Sequence, residues 1–160
     1  MTPQVFAILS ALIEERLGLS YVPADKELLE NKIAGRVFEL GFDTALDYYY
    51  YLRYDDPDGA ELDALTDALV VNETFFFREY LQVHTVLSRI VVPLIQAGRR
   101  PRIWCAACST GEEPSTIAMW LAERGLLDSV ELIASDVSRT ALAIARAGRY
   151  RARSLRQIPD

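Results

Sequence analysis

"RIWCAACSTGEEPSTIAMW", residues 102–120, decides the fold. Its first six residues are a nearly continuous apolar run, the pattern of a parallel strand buried on both faces. "EEPSTIAMWLAERG" (112–125) reads as a helix, with Pro114 in the first turn, where a missing N–H is tolerated, and Gly125 as its terminator. Between strand and helix lies a loop of small residues, Cys108 to Gly111. Downstream, "SVELIAS" (129–135) reads as a second strand and "DVSRTALAIARAG" (136–148) as a second helix closed by Gly148. Strand, loop, helix, strand, helix is a βαβα unit, which implies a parallel sheet and a right-handed crossover.

The chain upstream has another character. Phe6, Leu9, Ile13 and Leu17 form one apolar stripe at helical spacing, ending at Gly18. Leu29, Ile33, Val37 and Leu40 form a second, ending at Gly41. "DTALDYYYYLRY" opens with Asp43, a good N-cap residue, and carries four consecutive tyrosines that cannot all face one core. "DDPDG" (55–59) is a turn by composition, and "AELDALTDALVV" resumes a helical pattern. In 72–98 the second half reads as one helix, with apolar Val83, Val86, Leu87, Ile90 and Val91. The expected division is an all-helical domain over 1–72, followed over 73–160 by a linker helix and the first half of an α/β domain.

Composition excludes several classes. The chain is 51% hydrophobic and 25% charged, as expected of a globular protein. A net charge of −6 argues against a general nucleic-acid binder, whose phosphate contacts need clustered cations. No apolar run approaches the roughly 18 residues that cross a bilayer, so no membrane insertion is expected. With two cysteines there is no disulfide scaffold, and a cytoplasmic setting is the natural one.

Trp104-Cys105-Ala106-Ala107-Cys108 has the spacing of a redox dithiol. Cys105, however, falls inside the apolar strand, and "STGEEP" separates the pair from the helix whose dipole would activate a thiol. Buried packing cysteines are the expected reading, and a zinc site lacks the further ligands it needs. In the loop, Ser109 and Gly111 allow close backbone approach, and Gly111 allows a positive φ. With a single glycine, neither phosphate-binding glycine motif is satisfied. Glu112 and Glu113 either complement the helix dipole or meet a cationic ligand group. Asp136, ending the second strand, either accepts ribose hydroxyls or, like Ser138, caps the next helix. Such loops suit a nucleoside with a cationic amino-acid tail and no polyphosphate, the profile of S-adenosylmethionine.

"NETFFFRE" (72–79), "RIWCAACSTGEEPSTIAM" and "IASDVSRTALAIARAGRY" together resemble the chemotaxis receptor methyltransferases, the CheR family, with signatures N-x-T-x-F-F-R, W-S-A-x-C-S-T-G-E-E-P-Y-S-x-A and A-[ST]-D-[IV]-S. The resemblance implies a Rossmann-like AdoMet-dependent methyltransferase fold, incomplete here, behind a small all-α domain that faces a receptor. It also implies methyl transfer from S-adenosyl-L-methionine to glutamate side chains of a methyl-accepting chemoreceptor, giving methyl esters and S-adenosyl-L-homocysteine, in the cytoplasm at receptor arrays. Carried over by position, Asn72, Thr74 and Arg78 match the cofactor-contacting segment, Glu113 the second acid of the loop, and Asp136 the ribose acid. Arg78 is the candidate catalytic residue, orienting a carboxylate through its bidentate guanidinium. His84 is expected to be structural.

The chain departs from the family pattern in places. Ser115 stands where the family's loop carries tyrosine, and Cys105 where it carries serine. The family's arginine-rich second helix is here mixed, with Lys26, Lys32 and Arg36 among Asp25, Glu27, Glu30 and Glu39. "SLRQIPD" ends the chain after two clear strands, whereas such a methyltransferase needs several more. A fragment, a truncation, or a chain completing its sheet with a partner is therefore expected, with weak or absent activity alone. A non-catalytic AdoMet-binding or regulatory module of the same fold is the alternative.

Overall fold

The structure, a computed structural model, describes residues 1–157. The chain forms two compact units, Met1–Val71 and Asn72–Asp160.

The first unit is helical: α1 (Pro3–Leu17), α2 (Lys26–Glu39), α3 (Ala45–Tyr50), running into a π-helical turn at Tyr51–Asp55, and α4 (Ala60–Leu69). The N-cap of α3 is Thr44, not Asp43. Its hydroxyl accepts from Asp47 N at 3.2 Å and donates to the Asp47 carboxylate at 2.6 Å, so the β-branched residue, one position on, closes the cap. Asp56 satisfies the start of α4 by accepting from Glu61 N (3.2 Å) and Leu62 N (3.0 Å). Leu9, Ile13, Leu29, Ile33 and Leu65 are fully buried together, each stabilising by about 1.5–3 kcal/mol relative to exposure. Of the four tyrosines only Tyr48 is buried, because successive helical residues diverge by about 100°. Its hydroxyl donates to Glu61 Oε1 at 2.7 Å, and Arg36 grips the same carboxylate with Nε (2.9 Å) and Nη2. Burial first, and the Glu61 bond second, raise the Tyr48 phenol above its ordinary range. Two of the α2 cations, Arg36 and Lys32, thus bond across the unit, since Lys32 Nζ also bonds the Leu69 carbonyl.

The second unit runs α5 (Tyr80–Val86), a π-helical turn at Leu87–Val91, α6 (Val92–Gln96), β1 (Arg102–Ala106), α7 (Glu112–Ala122), β2 (Glu131–Ser135) and α8 (Arg139–Ala147). The expected single helix is therefore interrupted. The widened turn resets its face, so that Leu87 and Val91 are buried while Val86 and Ile90 are exposed. β1 and β2 pair in parallel, Arg102 opposite Glu131 through Ala106 opposite Ser135. Cys105, Ile103 and Leu132 pack with Leu87, Val91, Ile117, Trp120 and Leu121.

β1 is not buried on both faces. Trp104 is 68% exposed, with its indole N–H donating to Ser135 Oγ at 2.9 Å. One right-handed β1–α7–β2 crossover puts its helix on one side of the sheet only. The apolar run expresses strand propensity on both faces, but burial is realised on one.

Candidate functional site

At the carboxyl ends of β1 and β2 the chain bends into two loops that clasp each other. Ala107 (φ 61), Ser109 (φ 48) and Gly111 (φ 91) take left-handed backbone within five residues. Such conformations are costly for non-glycine residues and persist where surrounding contacts impose them. Cys108 N donates to Ser135 O at 2.9 Å, and Ser109 N to Asp136 Oδ2 at 2.7 Å. Asp136 Oδ1 accepts from Ser138 N at 2.9 Å, so one carboxylate ties both loops together. The N-cap of α8 is Ser138, whose Oγ accepts from Ala141 N at 2.9 Å. With two oxygens and about four lone-pair positions, Asp136 retains acceptor capacity for a further donor.

Glycine is needed at Gly111 for packing as well as for its φ. A Cβ there would lie 2.8 Å from Ala145 Cβ and 3.3 Å from Tyr150 Oη. Ser109 is 8% exposed, and its Oγ has no hydrogen-bond partner among the described residues. Leaving a buried hydroxyl unsatisfied costs about 1–3 kcal/mol. A ligand group would relieve that cost.

The two loop glutamates diverge. Glu112 is 1% exposed, and its carboxylate accepts from Thr110 Oγ1 (2.6 Å) and Ser154 Oγ (2.8 Å). Glu113 is exposed, with its carboxylate beside the Cys105 thiol. Burial first, and Glu113 second, push Cys105 up to about 12. Burial first, and Asp136 second, also raise Cys108. A redox dithiol needs an exposed, low-pKa thiolate; both cysteines here are free, buried and shifted the other way.

The 72–79 segment lies along the same edge. Asn72 Nδ2 donates to Ser138 Oγ at 3.4 Å, and Phe77 N (φ 62) donates to Thr116 Oγ1 at 3.1 Å. Phe76 is buried edge-on to Tyr150 at 4.8 Å, and its N–H donates to Ser154 O at 2.9 Å. Thr74 is half-buried. Arg78 is exposed and donates to its own segment's Glu73 carbonyl at 2.8 Å. The structure therefore brings Asn72, Ser109, Gly111 and Asp136 into one hydrogen-bonded or packed cluster, while Arg78 bonds outside it. His84 lies edge-on to Trp120 at 5.7 Å and tilted against Tyr80 at 6.0 Å.

Sequence reasoning missed Tyr150, Ser154 and Thr116, which buttress the loop. Tyr150 falls at the end of the third stretch that resembles the family, beyond its signature, and "RARSLR" carried no signal for Ser154.

A two-stranded parallel βαβα unit with acid-bearing loops at its strand ends defines a Rossmann-like α/β class built for a nucleoside cofactor. Residues 72–160 match the family model described as CheR methyltransferase, SAM binding domain, and residues 4–70 match CheR methyltransferase, all-alpha domain. The chain belongs to the CheR methyltransferase family, and its cofactor is S-adenosylmethionine. It is 32% identical over 151 residues to chemotaxis protein methyltransferase 2 of Vibrio cholerae, covering 91% of this chain and 52% of that protein. It is 34% identical over 160 residues to a chemotaxis protein methyltransferase of Klebsiella aerogenes, covering 96% and 52%. It is also 35% identical over 149 residues to a Pseudomonas aeruginosa protein named probable biofilm formation methyltransferase WspC, covering 91% and 34%. The chain spans about half the length, or less, of the curated relatives it matches. No described helix is long and apolar enough to cross a membrane.

Proposed function

We propose that this chain holds S-adenosylmethionine for methyl transfer to glutamate side chains of a chemoreceptor-type protein in the cytoplasm, giving glutamate methyl esters. The observation that carries the reading is the buried, unpartnered Ser109 hydroxyl in a loop clasped by Asp136, within the family's SAM-binding domain. The residues present suit that cofactor. Carboxylates Glu113 and Asp136 stand where a polyphosphate would be repelled and where ribose hydroxyls and cationic groups are welcome.

When bound, S-adenosylmethionine supplies an electrophilic methyl on a sulfonium. The chain's own residues hold and orient. Asp136 keeps the two loops at a fixed separation and accepts ribose hydroxyls with its remaining lone pairs. Ser109 offers one hydroxyl to the ligand, and Glu113 presents negative charge toward a cationic group. Asn72 bonds the Ser138 cap of α8, and half-buried Thr74 follows two residues along. Arg78 orients a carboxylate, for which its side chain must leave the Glu73 carbonyl. An acceptor carboxylate is already nucleophilic at neutral pH, so no general base is required and alignment dominates the rate.

The test pairs calorimetry with transfer of labelled methyl groups to receptor fragments. Asp136→Ala is expected to weaken S-adenosylmethionine binding at least tenfold, the scale of a charged hydrogen bond. Unchanged affinity in a folded variant sinks the ribose assignment. Binding without methyl-ester formation on any receptor fragment sinks the transfer.

A further inference from the structure

The charge of this chain is unevenly distributed. Between Asp136 and Asp160 there is no acidic residue, yet six of the 17 lysines and arginines fall there: Arg139, Arg146, Arg149, Arg151, Arg153 and Arg156. The chain as a whole carries −6. The segment after α8 is pinned by its inward side chains. Tyr150 packs against Phe76 and under Gly111, and Ser154 donates to Glu112 while its carbonyl accepts from Phe76 N. Arg149, Arg151 and Arg153 alternate with these anchors and are exposed. Arg156 is engaged, paired with Glu73 at 3.1 Å and lying 3.9 Å over the Phe75 ring. Arg146 lines a cavity of about 340 Å³ with Cys108, Gly111, Ser115 and Ser135. Among the described residues no carboxylate pairs with Arg146, Arg149, Arg151 or Arg153.

We propose that Arg146, Arg149, Arg151 and Arg153 form a docking rim for an acidic stretch of the polypeptide substrate, beside the cofactor loops. The proposal rests on the reading of glutamate as acceptor, and names the surface that receives its neighbourhood. Guanidinium forks match carboxylates geometrically, and the anchored backbone lowers the entropy cost of presenting them. In the helical unit, by contrast, Lys32 and Arg36 of α2 are bonded inward. An acidic peptide fits better than nucleic acid. The aromatic of the segment, Tyr150, faces inward and offers no stacking platform, and the remaining chain is strongly acidic.

The test measures anisotropy of a fluorescent glutamate-rich peptide with this chain at low and near-physiological salt. The variant Arg149→Gln/Arg151→Gln/Arg153→Gln is expected to lose about tenfold in affinity and to flatten the salt dependence. Arg99→Gln/Arg100→Gln, before β1, is expected to bind as the parent does. Should the triple variant lose the parental circular dichroism, Arg151→Gln carries the test, with about a threefold loss. No loss, an equal loss in the Arg99/Arg100 variant, or tighter binding of duplex DNA or phosphatidylserine vesicles overturns the proposal. Arginine-dependent peptide binding with no methyl ester formed on any receptor leaves docking standing and the transfer reading fallen. Methyl esters formed with an unchanged KM in the triple variant remove docking alone.

Discussion

Each unit buries one glutamate, and the two are held in opposite ways. Glu61, 5% exposed, faces the Arg36 guanidinium and the Tyr48 hydroxyl from other helices. Glu112, 1% exposed, is held by two neutral hydroxyls, from Thr110 two residues away and Ser154 forty-two away. The first arrangement closes a helical core on itself. The second fastens a loop, and beside it leaves Ser109 Oγ unanswered and a left-handed backbone in place. In the second unit Ser109 Oγ and the buried Trp120 indole N–H both lack hydrogen-bond partners among the described residues, but only Ser109 lies on a loop where a ligand could answer it.

That contrast can be broken most directly by removing Glu61. Glu61→Ala leaves the buried Tyr48 phenol without its acceptor and the Arg36 guanidinium with Glu39 alone, and is expected to destabilise the helical unit by about 3 kcal/mol in urea unfolding. Gly111→Ala forces a side chain into Ala145 at unfavourable φ; a loss of about 2–3 kcal/mol is expected in the α/β unit, with the helical unit unmoved. Ser109→Ala sharpens the comparison, because its two effects differ in sign. Deleting an unpartnered buried hydroxyl should leave unfolding within about 0.5 kcal/mol or slightly stabilise the protein, while weakening S-adenosylmethionine binding about five- to tenfold by calorimetry. Loss of stability with unchanged affinity would show that the hydroxyl is structural.

The smallest effect is alkaline. Cys105 ionises near 9 when unfolded but near 12 when folded, so its contribution is fully present below about pH 9 and declines as pH rises toward 12. Cys105→Val should flatten the fall in the unfolding midpoint of the α/β unit over that window.

The ends of α1, α2 and α8 and the parallel strand pair were legible because they rest on local signals, whereas the α3 cap was read one residue early. Apolar spacing places α1, α2, α7 and α8, and the strands follow from short apolar runs between them. The residue types of the loop disfavour phosphate and pointed to a nucleoside, and the family's cofactor is S-adenosylmethionine. What stayed hidden depends on distant partners. Nothing local distinguishes Glu112 from Glu113; a helix turns them about 100° apart, and Ser154 and Thr110 decide which is buried. The widened turn at Leu87–Val91 and the single buried face of β1 likewise depend on what packs against them. The family resemblance singled out Arg78, but its resting bond to the Glu73 carbonyl was not legible.

The chain has two tryptophans, and both belong to the α/β unit, while six of its eight tyrosines lie in the helical one. Trp104 stands exposed on the open face of the sheet, and Trp120 is buried on the covered face beneath Arg124. The molecule therefore carries its own optical partition. Indole emission excited near 295 nm reports one unit alone, acrylamide quenching separates the two faces of its sheet, and anything that covers the open face should shift Trp104 emission to the blue while leaving Trp120 dark to the quencher.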